Sequence, residues 1–272
     1  MRSHRIRMPL AAVACAGVLF LAGCSGNNPV NPNGFAQADA DDIAAQAGVA
    51  AAAGVVTNMS AADGASGGVS GSAAARFTPL RAGSFAQAET TFTVGAITYT
   101  LGVTFYDADG NTLSGYGPLA HRMLVTTRAT GAVASQQFNA SLGHAGSLDV
   151  SGLEASLDTL VMNGACSDSV DASFTSLDGT RTRYFIWRSG AVLTDAALLK
   201  NRQANPYPLS GTLSYVVHAV RYRSNQFAEV EKTWDATVVI VFDGTATPEL
   251  TVNGAFHYRL NLVTGAVVRA VA

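Results

Sequence analysis

The segment Leu250-Thr251-Val252-Asn253-Gly254-Ala255-Phe256-His257-Tyr258-Arg259-Leu260-Asn261-Leu262 decides the fold class of this chain. Leu250, Val252, Phe256, Tyr258, Leu260 and Leu262 share one parity, while Thr251, His257, Arg259 and Asn261 share the other. A period of two belongs to a strand with one dry face and one wet face. Asn253-Gly254 between the two halves supplies the positive backbone angles of a type I′ turn. The segment is expected to form a two-sided antiparallel hairpin.

Further turn signals recur at strand-length spacing upstream. Asp178-Gly179 separates 172–177 from 180–187, and Asp243-Gly244 ends 236–242. Asp109-Gly110-Asn111 ends 97–106, and Thr264-Gly265 follows 256–263. Strands are also expected at 122–130, 132–142, 147–150, 159–162 and 211–223. About ten strands joined mostly by short connections predict an all-β domain over 77–272, a single antiparallel meander, with sandwich, curled sheet or half-barrel, and barrel topologies open. A domain of this size buries about 70 per cent of its unfolded surface, enough for one sizeable core.

Two strands depart from plain alternation. The stretch 236–242 is apolar on both parities, so both faces are expected to be covered, by a second sheet, a helix or a bound lipid. In 212–223, Tyr215, Val217 and Ala219 fall on one face and Ser214, Val216, His218, Val220 and Tyr222 on the other. That mixture suits a strand running from core to rim.

The N-terminus has a different character. Arg2, Arg5 and Arg7 precede an apolar run over 10–22 and the small residues Ala22 and Gly23, the layout of an export signal. The run is shorter than the about 20 apolar residues of a comfortable membrane span. Leu21-Ala22-Gly23-Cys24 resembles the lipobox of bacterial lipoproteins. The resemblance implies acylation of the Cys24 thiol, cleavage just before it to release 1–23, and acylation of the new amino group. Two or more acyl chains, at about 0.8 kcal/mol per buried methylene, hold a protein on a membrane as one cannot. Ser25 stands where an aspartate would favour inner-membrane retention, so the resemblance points to the outer membrane of the envelope.

Residues 24–36 are rich in Asn, Pro and Gly and read as a spacer. Residues 37–57 read as an alanine-rich helix with Asp39, Asp41 and Asp42 near its N-terminus, and 58–76 read as an Ala/Gly/Ser linker. Loss of three arginines with the signal leaves 14 basic residues against 19 acidic ones, a net charge near −5. That balance offers no electrostatic footprint for nucleic acid.

Motifs for chemistry are sparse. Gly64-Ala65-Ser66-Gly67-Gly68 has the letters of a nucleophile elbow but not the strand and helix that force the serine onto a strained turn. Asp107-Ala108-Asp109-Gly110-Asn111 has the carboxylate density of a calcium loop without its closing glutamate, and reads as a hairpin turn. His121, His144, His218 and His257 show no metal-ligand spacing. The pairs Asp168 with Asp171 and Glu229 with Glu231 are expected near turns or on solvated strand positions. With Cys15 removed and Cys24 acylated, Cys166 is left without a disulfide partner and reads as a small half-buried residue near a turn. The chain thus shows no catalytic set, metal site or cofactor motif.

The run Val239-Ile240-Val241-Phe242-Asp243-Gly244-Thr245, followed by Leu250-Thr251-Val252-Asn253-Gly254, resembles the C-terminal part of uncharacterised bacterial lipoproteins. The resemblance supports fold class and address. The expected function is a non-catalytic, lipid-anchored envelope protein presenting a β domain for binding a protein, glycan or lipid, or for structural support. The alternatives are a carrier or chaperone for a hydrophobic ligand and, less favoured, a hydrolase.

Overall fold

The computed structural model describes residues 35–65, 88–201, 203–225 and 228–270. Helix α1 (Gln37–Ala65) precedes β1 (Ala88–Val94), β2 (Ile97–Tyr106), β3 (Thr112–Leu113), β4 (Arg122–Ala134), β5 (Phe138–Ser151) and β6 (Thr159–Thr175). Then follow β7 (Thr182–Leu199), β8 (Ser210–Asn225), β9 (Ala228–Val241), β10 (Glu249–Val252), β11 (Phe256–Leu260) and β12 (Val267–Arg269). All belong to one antiparallel sheet in sequence order from β1 to β12, except that the short β3 pairs only with β2. The path is open, with β1 and β12 at its ends, so neither a two-sheet sandwich nor a closed barrel forms.

The turns fall where the sequence places them. Asn253 and Gly254 have φ of 50° and 65°, as a type I′ hairpin requires, and β10 pairs with β11 from Glu249↔Arg259 to Val252↔Phe256. The central strands, however, are longer than their apolar runs. The expected strand at 132–142 is divided by a turn that puts Ala132 to Ala134 in β4 and Phe138 onward in β5, while 147–150 joins that same β5. Likewise 159–162 and most of 172–177 merge into β6 of 17 residues, and 180–187 extends into β7 of 18. β5 and β6 have apolar inward residues toward their ends and small or polar ones in their middle. In β6 the inward series is Leu160, Met162, Gly164, Cys166, Asp168, Val170, Ala172 and Phe174. An extra residue in β7, near Asp195 with φ 49°, shifts the inward positions from Leu193 to Ala196 and Leu198, which hides their alternation.

Two apolar clusters lie on this inward face. One gathers Phe105, Met123, Val125, Leu148, Val150, Leu160, Met162 and Leu198 at one end of β2 to β7. The other gathers Tyr215, Val217, Trp234, Val238, Ile240, Leu250, Tyr258 and Leu260 beneath α1. The alanine-rich helix is eight residues longer than expected, ending at Ala65, and it packs on the sheet. Ala40, Ala44, Ala47 and Ala51 are buried, and their short side chains let the helix axis approach β9 to β12 closely.

The expectation that 236–242 is covered on both faces is not met. Val238, Ile240 and Phe242 are buried under α1, but Val239 and Val241 are 37% and 48% exposed on the other face. Valine and threonine pack well on a pleated surface even when one face is wet, so apolar content there reflects strand preference rather than a covering layer.

Charge fixes the helix register. Asp42 pairs with Arg221 at 2.8 Å, Asp39 with Lys232 and Asp41 with Arg269. The Tyr258 hydroxyl donates to Asp41 at 2.9 Å. The Arg269 guanidinium holds the Asp41 carboxyl below the usual carboxylate range, with Gln37 and Tyr258 adding to the effect. At Asp39 burial pushes the pKa up, but Lys232 and the Ala36 N–H together bring it below the usual range. Both folded pKa values lie below those of the unfolded chain, so their contribution is full above about pH 4 and is lost as pH falls through the folded values. An acid titration followed by Trp234 fluorescence is expected to show the helix leaving the sheet below about pH 4. The double variant Asp39→Asn, Asp41→Asn should flatten that transition; an unchanged acid profile would refute this account.

Candidate functional site

The polar interruption on the inward face forms the densest set of chemistry-bearing side chains. Cross-strand register puts Ala129, His144, Asp168, Ser189 and Val217 in one row across β4 to β8. The adjacent inward row is Thr127, Gly146, Cys166, Ala191 and Tyr215. Side chains of one row and the next same-face row lie within reach of each other.

His144 Nδ1 donates to Asp168 Oδ1 at 2.7 Å, and Thr127 Oγ1 lies 2.9 Å from His144 Nε2. Because the carboxylate only accepts, the Nδ1–H tautomer leaves Nε2 to accept from the Thr127 hydroxyl. Cys166 Sγ is 3.8 Å from Asp168 Oδ2. His144 and Asp168 are each about one-third exposed, whereas Ser189 and Tyr215 are buried beside them. Ser189 accepts from Trp187 Nε1 at 3.0 Å. Burial, with the Asp168 charge and hydrogen bond adding to it, pushes the Cys166 thiol up to about 12. Burial first, then the neighbouring Cys166 and Asp168, also raises Tyr215.

Hydroxyl, imidazole and carboxylate in this order resemble the relay that activates a nucleophile. Such a relay acts on acyl groups only with free donors for the developing oxyanion. Thr127 lies in mid-strand, paired with Leu101 on one side and Gly146 on the other, where backbone N–H groups serve the ladder. The geometry therefore orients the ring and presents it with the thiol and carboxylate as a set of ligands. Cys166, expected near a turn, stands in the middle of β6. Asp168, on β6 and about one-third exposed, is the partner of His144.

The other candidates are separate. The four histidines do not converge with each other, yet each meets a carboxylate: His121 with Glu154 at 2.6 Å, His218 with Asp235 at 2.8 Å, and His257 with Glu249 at 2.8 Å, besides His144. Asp171 pairs with Arg188 at 2.7 Å. Glu231 accepts from the Tyr184 hydroxyl, and Glu229 is exposed. Asp107 accepts from the Asp109 and Asn111 N–H groups at 3.0 and 2.8 Å, so its loop is a turn closed on itself. Cys24 and Ser66 lie outside the described residues; Gly64 and Ala65 end α1, so the segment before Ser66 is helix rather than the strand an elbow requires. Among the described residues no helix is long and apolar enough to cross a membrane.

On the opposite face, an open trough of about 770 Å³ crosses β4 to β8. Gly143, Ala145, Ser167, Ser169 and Gly190 form its floor, because small residues occupy the outward positions there. Arg128 and Thr130 bound it on one side, Arg188, Val216 and His218 on the other. Compared with protein families, with curated proteins and with solved structures, the chain matches none.

Proposed function

We propose that this protein is anchored in the bacterial envelope, in the outer membrane, by acyl chains on Cys24, and that its β domain is a non-catalytic binding surface for a polar ligand, a glycan or a protein segment. The trough across β4 to β8 carries this reading: its volume is that of a ligand site, and hydroxyls and two guanidinium groups line it. Arg128 forms no ion pair among the described residues, so its charge is available to a partner. The Asn/Pro/Gly spacer after Cys24 supports the anchoring half, since it would lift the domain off the bilayer.

Each half has its test. Cys24→Ala should abolish acyl labelling and release the exported chain from the membrane; unchanged retention would overturn the anchor. A photo-crosslinking residue at Ser167 in intact cells should give discrete adducts absent from the same residue at Leu177, an exposed turn position. Equal labelling at both positions would remove the trough as a binding surface.

A second reading, a carrier for an acyl chain or another hydrophobic ligand, draws on Val216, which lines the trough, and on Val192, Val239 and Val241, exposed on the same face of the sheet. Native mass spectrometry of the protein from delipidated extracts with no co-purifying lipid would dismiss it.

A further inference from the structure

We propose that His144, Cys166 and Asp168 form a zinc site, with water as the fourth ligand. This goes beyond the binding reading above and does not rest on it: His144 and Asp168 also belong to the trough's lining, but along β5 and β6 the three ligand positions alternate with those of the trough floor.

One imidazole nitrogen, one thiolate sulfur and one carboxylate oxygen are the three ligand types zinc takes, and three protein ligands with an open fourth position make an accessible site. Soft sulfur beside imidazole disfavours magnesium and calcium, which take oxygen ligands. The three ligand atoms lie within 4.8 Å of one another. Zinc bonds of about 2.0–2.3 Å place tetrahedral ligands roughly 3–4 Å apart. The 2.7 Å contact between His144 and Asp168 must widen and the contacts to sulfur must shorten, which small side-chain rotations supply.

A zinc-bound imidazole commonly places its other nitrogen on a hydrogen-bonding partner that fixes ring and tautomer. With Nδ1 on the metal, Nε2–H would donate to Thr127 Oγ1, already 2.9 Å away; the threonine hydroxyl serves either tautomer. Gly146, between Thr127 and Cys166 in the row, keeps space open: a Cβ there would lie 2.9 Å from Cys166 Cβ and 3.2 Å from Thr127 Oγ1. Buried Ser189 and Tyr215 wall the site on one side, while the partial exposure of His144 and Asp168 leaves an entry path. The other three histidine–carboxylate pairs have no third ligand; among the described residues this is the one cluster of three.

On binding, the Cys166 thiol proton leaves to solvent as the zinc–sulfur bond forms, with no change of oxidation state. Zinc would then cross-link β5 and β6 at the edge of the apolar cluster that includes Ala191, Tyr215 and Val217 and against which Cys166 packs.

The test uses the whole mature protein in detergent, stripped with chelator and titrated with Zn²⁺ by calorimetry and with Co²⁺ by absorption. One metal per chain is expected, with the thiolate-to-cobalt charge-transfer band and intense tetrahedral ligand-field bands. Cys166→Ser should abolish the charge-transfer band, and His144→Ala should weaken Zn²⁺ binding by tenfold or more. Thr127→Val should weaken it by about 10–100-fold, as loss of a ring-orienting partner does. His257→Ala should leave both titrations unchanged. Circular dichroism confirms that each variant is folded, and Cys166→Ser, nearly isosteric, is the variant to rely on if His144→Ala is not. Absence of the charge-transfer band in the wild type, or its persistence in Cys166→Ser, would overturn the proposal.

Discussion

Phe105→Ala is expected to destabilise the domain by about 3–5 kcal/mol, the cost of removing a fully enclosed aromatic ring from a core that cannot collapse into the space. Phe105 is 1% exposed and lies against Tyr116, with ring centroids 5.7 Å apart at 54°. It is flanked across the sheet by Met123 of β4 and Leu113 of β3. Both neighbours are held by the ladder, so neither can move far to fill the cavity. A loss of that size is a large part of the about 5–15 kcal/mol available to a whole domain. Hydrogen exchange should show the loss concentrated in β2, β4 and β5, because the cluster around Phe105 is distinct from the one beneath α1. Urea unfolding measures the total; a change under about 1 kcal/mol would mean that the cluster repacks around the gap.

Gly48→Val sets two effects of opposite sign against each other. Valine is the better helix residue, by a few tenths of a kcal/mol. Yet a Cβ at position 48 would lie 2.7 Å from the Gly265 carbonyl oxygen, 2.8 Å from Val267 Cγ1 and 3.0 Å from Leu260 Cδ1. The first of these is backbone and cannot rotate away. Overpacking costs about 1–3 kcal/mol, so the steric term wins and the helix must lift off β11 and β12. The expected outcome is a helix intact by circular dichroism but displaced, with Trp234 fluorescence shifted toward solvent and faster proteolysis within α1. Unchanged fluorescence and stability would mean that α1 tolerates a wider approach.

The hairpin over 250–262 was readable because its pattern and its turn are local: period two on one side, Asn253-Gly254 in the middle. The long strands were not, because Gly146 and His144 in β5, and Gly164, Cys166 and Asp168 in β6, interrupt the apolar series that marks a strand. What looked like strand ends in the sequence is the polar stripe holding the candidate site. The histidines were visible as residues but not as a site, since His144 and Asp168 are 24 positions apart and meet only through the pairing of β5 with β6. One signal was present: Cys166 and Asp168 at i and i+2 share a face of any strand that contains both.

Short-range physics was legible along the chain. Side-chain alternation and turn chemistry made the chain an antiparallel β protein and alanine spacing made a helix, while the resemblance of Leu21-Ala22-Gly23-Cys24 to a lipobox is what the proposed anchor rests on. Only the tertiary structure decided that the sheet stays open, that α1 covers one face of β9 to β12 and leaves Val239 and Val241 bare, and that Thr127, His144, Cys166 and Asp168 meet. Those outcomes depend on register between strands, and register is set by which distant faces bury each other rather than by any neighbour along the chain.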